Sequence, residues 1–241
     1  MSTTFDELLS GNPVEQTRLM TLRQALRPYV ELFAGKVVLD FGASHGLSAV
    51  AMIELGARQV VGVEPDAARV KSGTEMLARV ALADRISLRT VSDTRDLPLE
   101  AASFDFILAN AVFEHIPQPR DAYVRELWRV LAPGGALLIN ETPNKYLPAD
   151  FHTLHLPLTN WLPSRVAHWI GVQTGRFKAA RLDWDYSGWR GLGYYELVRA
   201  IPGKYRATQD STRARHRILK AVGLPSAILD PYPVYLIHKL A

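Results

Sequence analysis

The stretch of sequence that decides the fold is VVLDFGASHG at positions 37–46, together with the apolar segment Leu47–Leu55 that follows it. Its first five residues are almost entirely apolar, as expected for a strand buried on both faces of a parallel sheet, and Gly42 ends the run. Leu47–Leu55 is predicted to be a helix that stops at Gly56. The order of strand, glycine-containing loop and helix predicts the beginning of a β–α–β unit.

The same alternation of strand and helix continues to Asn140. Further strands are predicted at 59–63, 86–91, 104–109 and 136–140, and helices at 66–80 and 119–131. An amphipathic helix over 14–33, with a break near Pro28, precedes this core, and PVYLIHKL at 233–240 is typical of a closing strand. Because helices alternate with strands, the predicted fold class is α/β: a doubly wound, mostly parallel, Rossmann-like sheet covered by helices on both faces.

The composition excludes several classes of protein. The chain has 241 residues, of which 48% are hydrophobic and 22% are charged. These values are typical of a globular protein rather than of a disordered, collagen-like or coiled-coil chain. The chain has no cysteine, which excludes disulfides, thiolate metal sites and cysteine nucleophiles. No apolar run of about 18 residues is present, and the acidic start MSTTFDELLSG lacks the apolar core of a signal peptide, so a cytoplasmic location is predicted.

The net charge of +4 comes from one segment of the chain. Residues 176–220 contain eleven Lys or Arg against four Asp or Glu, whereas the rest of the chain is slightly acidic. Within this segment, 211–222 is predicted to form a basic helix. Its RARHRILK stretch at 213–220 could contact an anionic lipid surface, bind a phosphate-bearing substrate or simply be solvated. The absence of a recognised RNA-binding motif argues against nucleic acid as a partner.

The residues that follow the first three strands favour a nucleoside cofactor. Gly42 and Gly46 allow a ligand to approach the backbone at the start of a helix. Glu64, which ends the second strand, can accept two hydrogen bonds from a ribose diol, and Asp93 after the third strand can accept one from an adenine amino group. Asp40 lies two residues before Gly42, where an acid suits a cationic ligand better than the pyrophosphate of a dinucleotide. The alternatives are that the two glycines only form a turn, that Glu64 is a solvated loop residue and that Asp93 caps its turn.

Five sequence motifs, in the order of the predicted strand ends, carry a resemblance to a known family. They are VVLDFGASHG, VVGVEPD (60–66), SDTRDLP (92–98), FDFILANAVFEHI (104–116) and ELWRVLAPGGALLI (126–139). Over residues 36–144 the sequence resembles the class I S-adenosylmethionine-dependent methyltransferases. The resemblance implies a seven-stranded sheet with an antiparallel last strand, and S-adenosyl-L-methionine as the cofactor.

The resemblance also implies roles for individual residues. The implied cofactor-binding residues are Asp40, Gly42 and Gly46 on the methionine side, Glu64 at the ribose, Asp93 and Thr94 at the adenine, and Asn110 beside the sulfonium, with Ala43, Ser44 and Pro65 completing the set. One of these residues departs from the family pattern: Ser44 stands where the family usually has glycine. Its small side chain should be tolerated there.

Other classes of protein share part of this pattern. Gly42-Ala-Ser44-His-Gly46 matches the Gly-x-Ser-x-Gly nucleophile elbow of serine hydrolases, but hydrolase folds place several strands before the elbow, and here it follows the first clear strand. A nicotinamide-dependent oxidoreductase would prefer Gly-x-Gly-x-x-Gly in this loop. A non-catalytic, methyltransferase-like binding subunit is also compatible with the sequence.

Three histidines are candidates for the substrate side of the site. A hydroxyl acceptor needs a base during methyl transfer, and histidine is the commonest one. His115 follows the fourth strand, and His152 and His155 follow the fifth, so both loops are expected at the rim of the sheet that carries the cofactor. These three are the predicted catalytic residues. No metal ligand is predicted, although Glu114, His115 and either of the other two histidines could form a two-histidine, one-carboxylate set.

The sequence after the fifth strand is interpreted as a substrate-capping insertion. The chain is predicted to be one methyltransferase domain, made of a helical segment at 1–35, a cofactor-binding core at 36–144, a basic capping insertion at 145–222 and a closing strand at 223–241. Aromatic residues of the insertion could form a lid over a substrate or the insertion's own core; these are Trp161, Trp169, Trp184, Tyr186, Trp189, Tyr194 and Tyr195.

The predicted reaction is methyl transfer to a small molecule. The preferred acceptor is a hydroxyl of a sugar, a lipid or a secondary metabolite, and nitrogen or carbon is the alternative acceptor atom. The sequence specifies no oligomeric state.

Overall fold

The structure of the protein is a computed structural model, which describes residues 5–80, 82–178, 183–210 and 229–241. The α-helices are α1 (Phe5–Leu8), α2 (Pro13–Leu26), α3 (Val30–Phe33), α4 (Leu47–Glu54), α5 (Ala67–Arg79), α6 (Asp121–Val130), α7 (Ser164–Gln173) and α8 (Tyr194–Arg199). Short 3-10 helices lie at Arg27–Tyr29, Phe113–His115, Thr159–Trp161 and Trp184–Tyr186. The predicted break near Pro28 is therefore confirmed, as a 3-10 turn between α2 and α3.

Seven strands in the described residues form one sheet. They are β1 (Val37–Phe41), β2 (Gln59–Glu64), β3 (Ile86–Thr90), β4 (Phe104–Asn110), β5 (Leu131–Asn140), β6 (Tyr205–Asp210) and β7 (Val234–Lys239). Their order across the sheet is β3-β2-β1-β4-β5-β7-β6, and β1 pairs in parallel with both β2 and β4. Six strands are parallel and the last is antiparallel. The predicted Rossmann-like fold class is confirmed.

The first strand–loop–helix unit is deeply buried. Val38 and Leu39 of β1 are fully buried, and every residue of α4 from Leu47 to Ile53 is buried. A helix that is apolar on all sides is stable only inside a protein, which explains why this short segment is helical. The helix ends at Glu54, and Gly56 follows with a positive φ of 106°, which glycine readily adopts.

The chain divides into two compact units that interleave along the sequence. The first contains Met1–Leu108, Glu126–Leu137 and His238–Ala241, and the second contains Ala109–Arg125 and Leu138–Ile237. The glycine loop, Glu64 and Asp93 thus belong to the first unit, and Asn110 and the three candidate histidines to the second. The segment boundaries drawn from the sequence, and a capping role for 145–222, stay predictions.

The largest differences from the predicted secondary structure lie at and after β5. This strand begins at Leu131 rather than at Ala136, so the helix predicted to reach Leu131 ends one residue earlier. The reason is Pro133, which disfavours helical backbone at the residue before it and so extends the chain there. The sequence has no sustained hydrophobic period over α7, α8 and β6, so it does not predict these elements. The basic helix predicted at 211–222 lies outside the described residues.

The second unit has a small aromatic core of its own. Leu154, Ala167 and Phe177 are buried together, and Trp184 and Trp189 pack against them. The Trp184 ring lies 5.1 Å from the Phe177 ring and 5.0 Å from the Trp189 ring, measured between centroids. These tryptophans therefore stabilise the unit, whereas other aromatic residues of the predicted insertion are exposed, namely Trp161, Trp169, Tyr186 and Tyr195.

None of the helices in the described part of the chain is long and apolar enough to cross a membrane. The longest of them, α2, has 14 residues, whereas a spanning helix needs about 20 predominantly apolar residues. The predicted cytoplasmic location is not tested by this observation and stays a prediction.

Candidate functional site

The glycine loop is the segment Gly42–Gly46 between β1 and α4. Gly42 and Gly46 have φ angles of 77° and 89°, in the left-handed region that glycine adopts without strain. The backbone N–H groups of Gly42 and Ala43 both donate to the carbonyl of Val63 on β2, at 2.9 and 3.1 Å. Gly46 immediately precedes α4, so the loop is fixed on one side by the sheet and on the other by a helix N-terminus.

Glu64 ties the end of β2 to this loop. Its Oε2 accepts a hydrogen bond from the Ser44 N–H at 3.0 Å, and its Oε1 accepts one from the Asp66 N–H at 3.2 Å. The residue is buried, so its carboxylate is held in one orientation. Each carboxylate oxygen can accept more than one hydrogen bond, which leaves capacity for two hydroxyl donors. This is the geometry expected of an acid that binds a ribose diol.

Asp40 lies under the loop as a buried carboxylate. Its Oδ2 accepts a hydrogen bond from the Ser48 hydroxyl at 2.6 Å, which links β1 to the first turn of α4. Burial, with a smaller contribution from the negative charge of Glu64, raises the pKa of Asp40 from 3.8 to about 7, although the hydrogen bond from Ser48 lowers it. Asp40 therefore organises the loop, and a nearby positive charge would stabilise its ionised form.

Three more of the predicted cofactor-binding residues follow strands: Asp93 and Thr94 follow β3, and Pro65 follows β2. Asp93 is exposed and accepts three hydrogen bonds from Arg95: its Oδ1 accepts from the backbone N–H and from Nε, and its Oδ2 accepts from Nη2. This arginine lowers the pKa of Asp93 to about 2. Asp93 thus caps its turn, and contact with adenine stays a prediction for it and for the half-buried Thr94. Pro65 is exposed beside Glu64.

Asn110 ends β4 within the second unit, in a network of polar side chains. Its Nδ2 donates to Glu141 Oε2 at 2.8 Å, and its Oδ1 accepts from Asn140 Nδ2 at 3.0 Å. Its side chain is therefore held by both partners. Sequence reasoning missed Asn140 and Glu141, although Glu141 has an unusual positive φ of 55°, because no local pattern marks that conformation.

The structure brings two of the three candidate histidines together. The rings of His115 and His152 lie 5.3 Å apart, edge to face. Together with Glu114 they form what we call the histidine–glutamate cluster, whose possible ligand atoms all lie within 4.8 Å of one another. His155 is exposed, has a positive φ of 53° and is not part of this group. A role for any of the three in catalysis stays a prediction.

The surroundings of Glu114 and His152 shift the pKa of both side chains. Glu114 is 2% exposed, and burial raises the pKa of its carboxyl. Its Oε2 accepts a hydrogen bond from the Thr142 hydroxyl at 2.9 Å. Burial lowers the pKa of His152, and the neighbouring His115 lowers it further. Sequence reasoning missed Thr142, which lies 28 residues after Glu114.

The nucleophile-elbow alternative receives only partial support. Ser44 has a positive φ of 50°, and its hydroxyl lies 3.2 Å from Nδ1 of the adjacent His45. A hydrolase triad also needs a carboxylate on the second ring nitrogen of the histidine. Among the described residues we find no hydrogen bond from His45 to a carboxylate. The backbone N–H of Ser44 donates a hydrogen bond to Glu64.

Comparison with known families identifies the domain. Residues 39–139 match the family model described as "Methyltransferase domain", a range that spans β1 to β5 and includes the glycine loop, Glu64 and Asn110. Residues 39–139 are therefore similar to a methyltransferase domain, and this similarity supports S-adenosyl-L-methionine as the cofactor.

Individual relatives are similar to only part of the chain. Tocopherol O-methyltransferase, chloroplastic, from Arabidopsis thaliana is 31% identical over 141 residues, which cover 54% of this chain and 38% of that protein. Demethylmenaquinone methyltransferase from Clavibacter sepedonicus is 32% identical over 155 residues, 61% of this chain and 60% of that one. The chain thus spans less than two thirds of either relative.

Solved structures share the fold over nearly the whole chain. Geranyl diphosphate C-methyltransferase from Streptomyces coelicolor A3(2), in complex with Mg²⁺, geranyl diphosphate and S-adenosyl-L-homocysteine, has a TM-score of 0.57 and 14% identity. The match covers 91% of this chain and 76% of that one. At this level of identity the likeness concerns the fold alone.

The residues of the first unit fit S-adenosylmethionine. Two carboxylates, Asp40 and Glu64, lie close enough for the charge of one to raise the pKa of the other. Such a pair favours a ligand that carries positive charge, as the sulfonium and ammonium groups of this cofactor do. Glu64 keeps acceptor capacity for the ribose hydroxyls, and the loop backbone is open to close approach at its glycines.

Proposed function

We propose that this protein transfers the methyl group of S-adenosylmethionine to a hydroxyl of a small molecule, such as a sugar, a lipid or a secondary metabolite. The observation that carries the proposal is the hydrogen-bonded unit formed by the glycine loop and Glu64, inside a methyltransferase domain. The curated relatives described above include one O-methyltransferase and one that acts on demethylmenaquinone by name, both with small-molecule substrates.

The chain's own residues would bind and orient the cofactor, which supplies a methyl group already activated by the sulfonium. Glu64 would accept hydrogen bonds from both ribose hydroxyls, and Asp40 would hold the loop against α4 through Ser48. Alignment of nucleophile and methyl group accounts for most of the catalysis in such a displacement. The same two carboxylates would repel the pyrophosphate of a nicotinamide dinucleotide, which makes an oxidoreductase the poorer alternative.

Proton removal from the acceptor would fall to the histidine–glutamate cluster. Nδ1 of His115 lies 2.9 Å from the carbonyl oxygen of Tyr186. Since a carbonyl can only accept, Nδ1 carries the hydrogen, and Nε2 of the neutral ring is left as the basic nitrogen. This arrangement favours an oxygen acceptor, because a hydroxyl must lose its proton whereas an amine can attack unaided.

The proposal is tested by incubating the full chain with methyl-labelled S-adenosylmethionine and panels of phenols, sugars, hydroxylated lipids and amines. Formation of S-adenosylhomocysteine together with a product that is one methylene heavier supports it, and methylation restricted to amines contradicts the oxygen acceptor. Titration with S-adenosylhomocysteine by calorimetry checks the cofactor separately. Absence of heat at millimolar ligand would contradict the proposal at its first step.

A further inference from the structure

The histidine–glutamate cluster has the donor set of a metal site. Glu114, His115 and His152 offer one carboxylate oxygen and two imidazole nitrogens, all within 4.8 Å of one another. Two histidines and one carboxylate are the protein ligands of many sites for divalent transition metals, with other coordination positions left open. The cluster lies wholly within the second unit, so it can be considered by itself.

Glu114 is held for this purpose by burial and by one hydrogen bond. Thr142 donates its hydroxyl to Oε2 at 2.9 Å, so that oxygen is already engaged. The other oxygen, Oε1, lies 4.0 Å from Nε2 of His115. That separation is too long for a hydrogen bond. Two ligand atoms of one tetrahedral ion lie roughly 3 to 3.5 Å apart, so these two atoms would approach each other by roughly 0.5 to 1 Å on binding it.

His115 has the hydrogen-bond pattern of a metal-bound histidine. Its Nδ1 donates to the Tyr186 carbonyl, so in the neutral ring Nε2 carries the free lone pair and lies 4.0 Å from Oε1 of Glu114. Histidine ligands commonly donate their second ring N–H to a backbone carbonyl or a carboxylate, because this fixes the ring and its tautomer. The backbone oxygen of Tyr186 would therefore support the ligand from outside the coordination sphere.

The position of His152 is fixed by its surroundings. Its backbone N–H donates to Asp150 Oδ1 at 3.0 Å, which forms the turn that carries it. A Cβ atom on Gly188 would lie 2.2 Å from Cδ2 of its ring, so the ring occupies space that only a glycine leaves open. By contrast, the exposed His155, three residues further on, is not among the grouped residues.

We propose that Glu114, His115 and His152 bind a single divalent transition-metal ion that accepts imidazole nitrogen, such as Zn²⁺ or Co²⁺. Two nitrogen donors make the set poorly suited to Mg²⁺ or Ca²⁺, which prefer oxygen ligands throughout. The proposal does not depend on methyl transfer. An ion in this place would lower the pKa of a bound hydroxyl, so that solvent water could take the proton without an imidazole base.

The test is a titration of the chelator-treated full chain with Co²⁺ and with Zn²⁺, without cofactor or substrate. Co²⁺ is followed by its visible absorption and Zn²⁺ by calorimetry. We expect one ion per chain. Glu114→Gln and His152→Ala should each weaken metal binding by about 10- to 100-fold or more, because loss of a side chain that only supports a ligand already weakens binding by that much. His155→Ala is the matched control and should bind as the wild type does.

Thr142→Val covers the case in which a ligand variant fails to fold. It removes only the hydrogen bond that orients Glu114, and it should weaken metal binding by about 10- to 100-fold. The proposal is overturned if no stoichiometric ion binds to the folded wild type. It is equally overturned if His155→Ala weakens binding as much as His152→Ala does, or if Thr142→Val and Glu114→Gln both bind as the wild type.

Discussion

The glycine loop and the histidine–glutamate cluster are built in different ways. The loop is held by backbone hydrogen bonds to the neighbouring strand and by Glu64, which lies 20 residues after its partner Ser44. The cluster joins residues that are far apart in the chain: His115 is bonded to Tyr186, 71 residues away. The loop is therefore specified by a short motif, whereas the cluster depends on the packing of the whole second unit.

The two regions also manage buried charge differently. In the loop, Asp40 and Glu64 are like charges, and their repulsion helps to raise the pKa of Asp40. In the cluster, the Glu114 carboxyl lies beside two imidazoles, and its Oε1 is 4.0 Å from Nε2 of His115. The first arrangement favours a cationic ligand, and the second a metal ion or a mobile proton. The predictions below test this contrast.

The largest expected effect is on stability and comes from Asp40→Asn. Since the pKa of Asp40 is raised to about 7 in the folded protein, the wild type loses stability as the pH rises from the unfolded pKa of about 4 through 7. The asparagine variant lacks this pH dependence. Between pH 4.5 and pH 8, its free energy of unfolding should therefore rise by about 3 kcal/mol relative to that of the wild type. Urea unfolding of the cofactor-free protein at both pH values measures it.

A matched control separates this effect from general surface charge. Asp84 is an exposed aspartate of the same unit, and Asp84→Asn should shift the free energy of unfolding equally at both pH values. If Asp40→Asn behaved in the same pH-independent way, Asp40 would not be the buried, repelled carboxylate on which the loop's preference for a cation depends.

The next effect concerns the ribose and comes from Glu64→Gln. The amide keeps the shape of the carboxylate but lacks its charge and half of its acceptors. Loss of a charge-assisted hydrogen bond should weaken S-adenosylhomocysteine binding by about 2 kcal/mol, or roughly 30-fold. Calorimetry measures the affinity, and Glu75→Gln on the exposed face of α5 is the control. Equal affinities for the two variants would remove Glu64 from the ribose.

The contrast also explains what the sequence could predict. VVLDFGASHG and Glu64 are local, since the parallel register places Phe41 beside Val63 and so brings the loop to the end of β2. The strand pattern therefore predicts the fold and the positions of Asp40 and Glu64 beside the loop, whose roles in cofactor binding stay predictions. The pairing of His115 with His152 could be listed from the sequence only as one of several combinations, because choosing it over His155 requires knowing that Gly188 leaves room for the ring.

A third test compares two glycines of the second unit. Gly188 and Gly175 have similar positive φ angles of 84° and 68°, but an added Cβ meets the His152 ring at Gly188 and nothing within 4 Å at Gly175. Alanine should cost about 1 kcal/mol at Gly175 through backbone strain alone. At Gly188 it should cost at least about 1 kcal/mol more through overpacking. Urea unfolding measures both, and equal costs would show that His152 is not confined by its neighbours.

The smallest effect is expected from Arg95→Ala, which bears on Asp93, a predicted contact of the adenine. Arg95 occupies both oxygens of Asp93 and holds the pKa of that carboxyl at about 2. Without the guanidinium this pKa should rise toward its ordinary value of 3.8, as observed by NMR titration of the side-chain carboxyl carbon. An exposed ion pair contributes little to stability, so the protein should remain folded to nearly the same temperature.

The same variant decides between the two roles of Asp93. If Asp93 accepts a hydrogen bond from adenine, freeing it from Arg95 should leave S-adenosylhomocysteine affinity unchanged or raise it, while Asp93→Asn should lower it. If Asp93 only caps its turn, both variants should bind the ligand as the wild type does. In that case the adenine would be recognised without the carboxylate of Asp93.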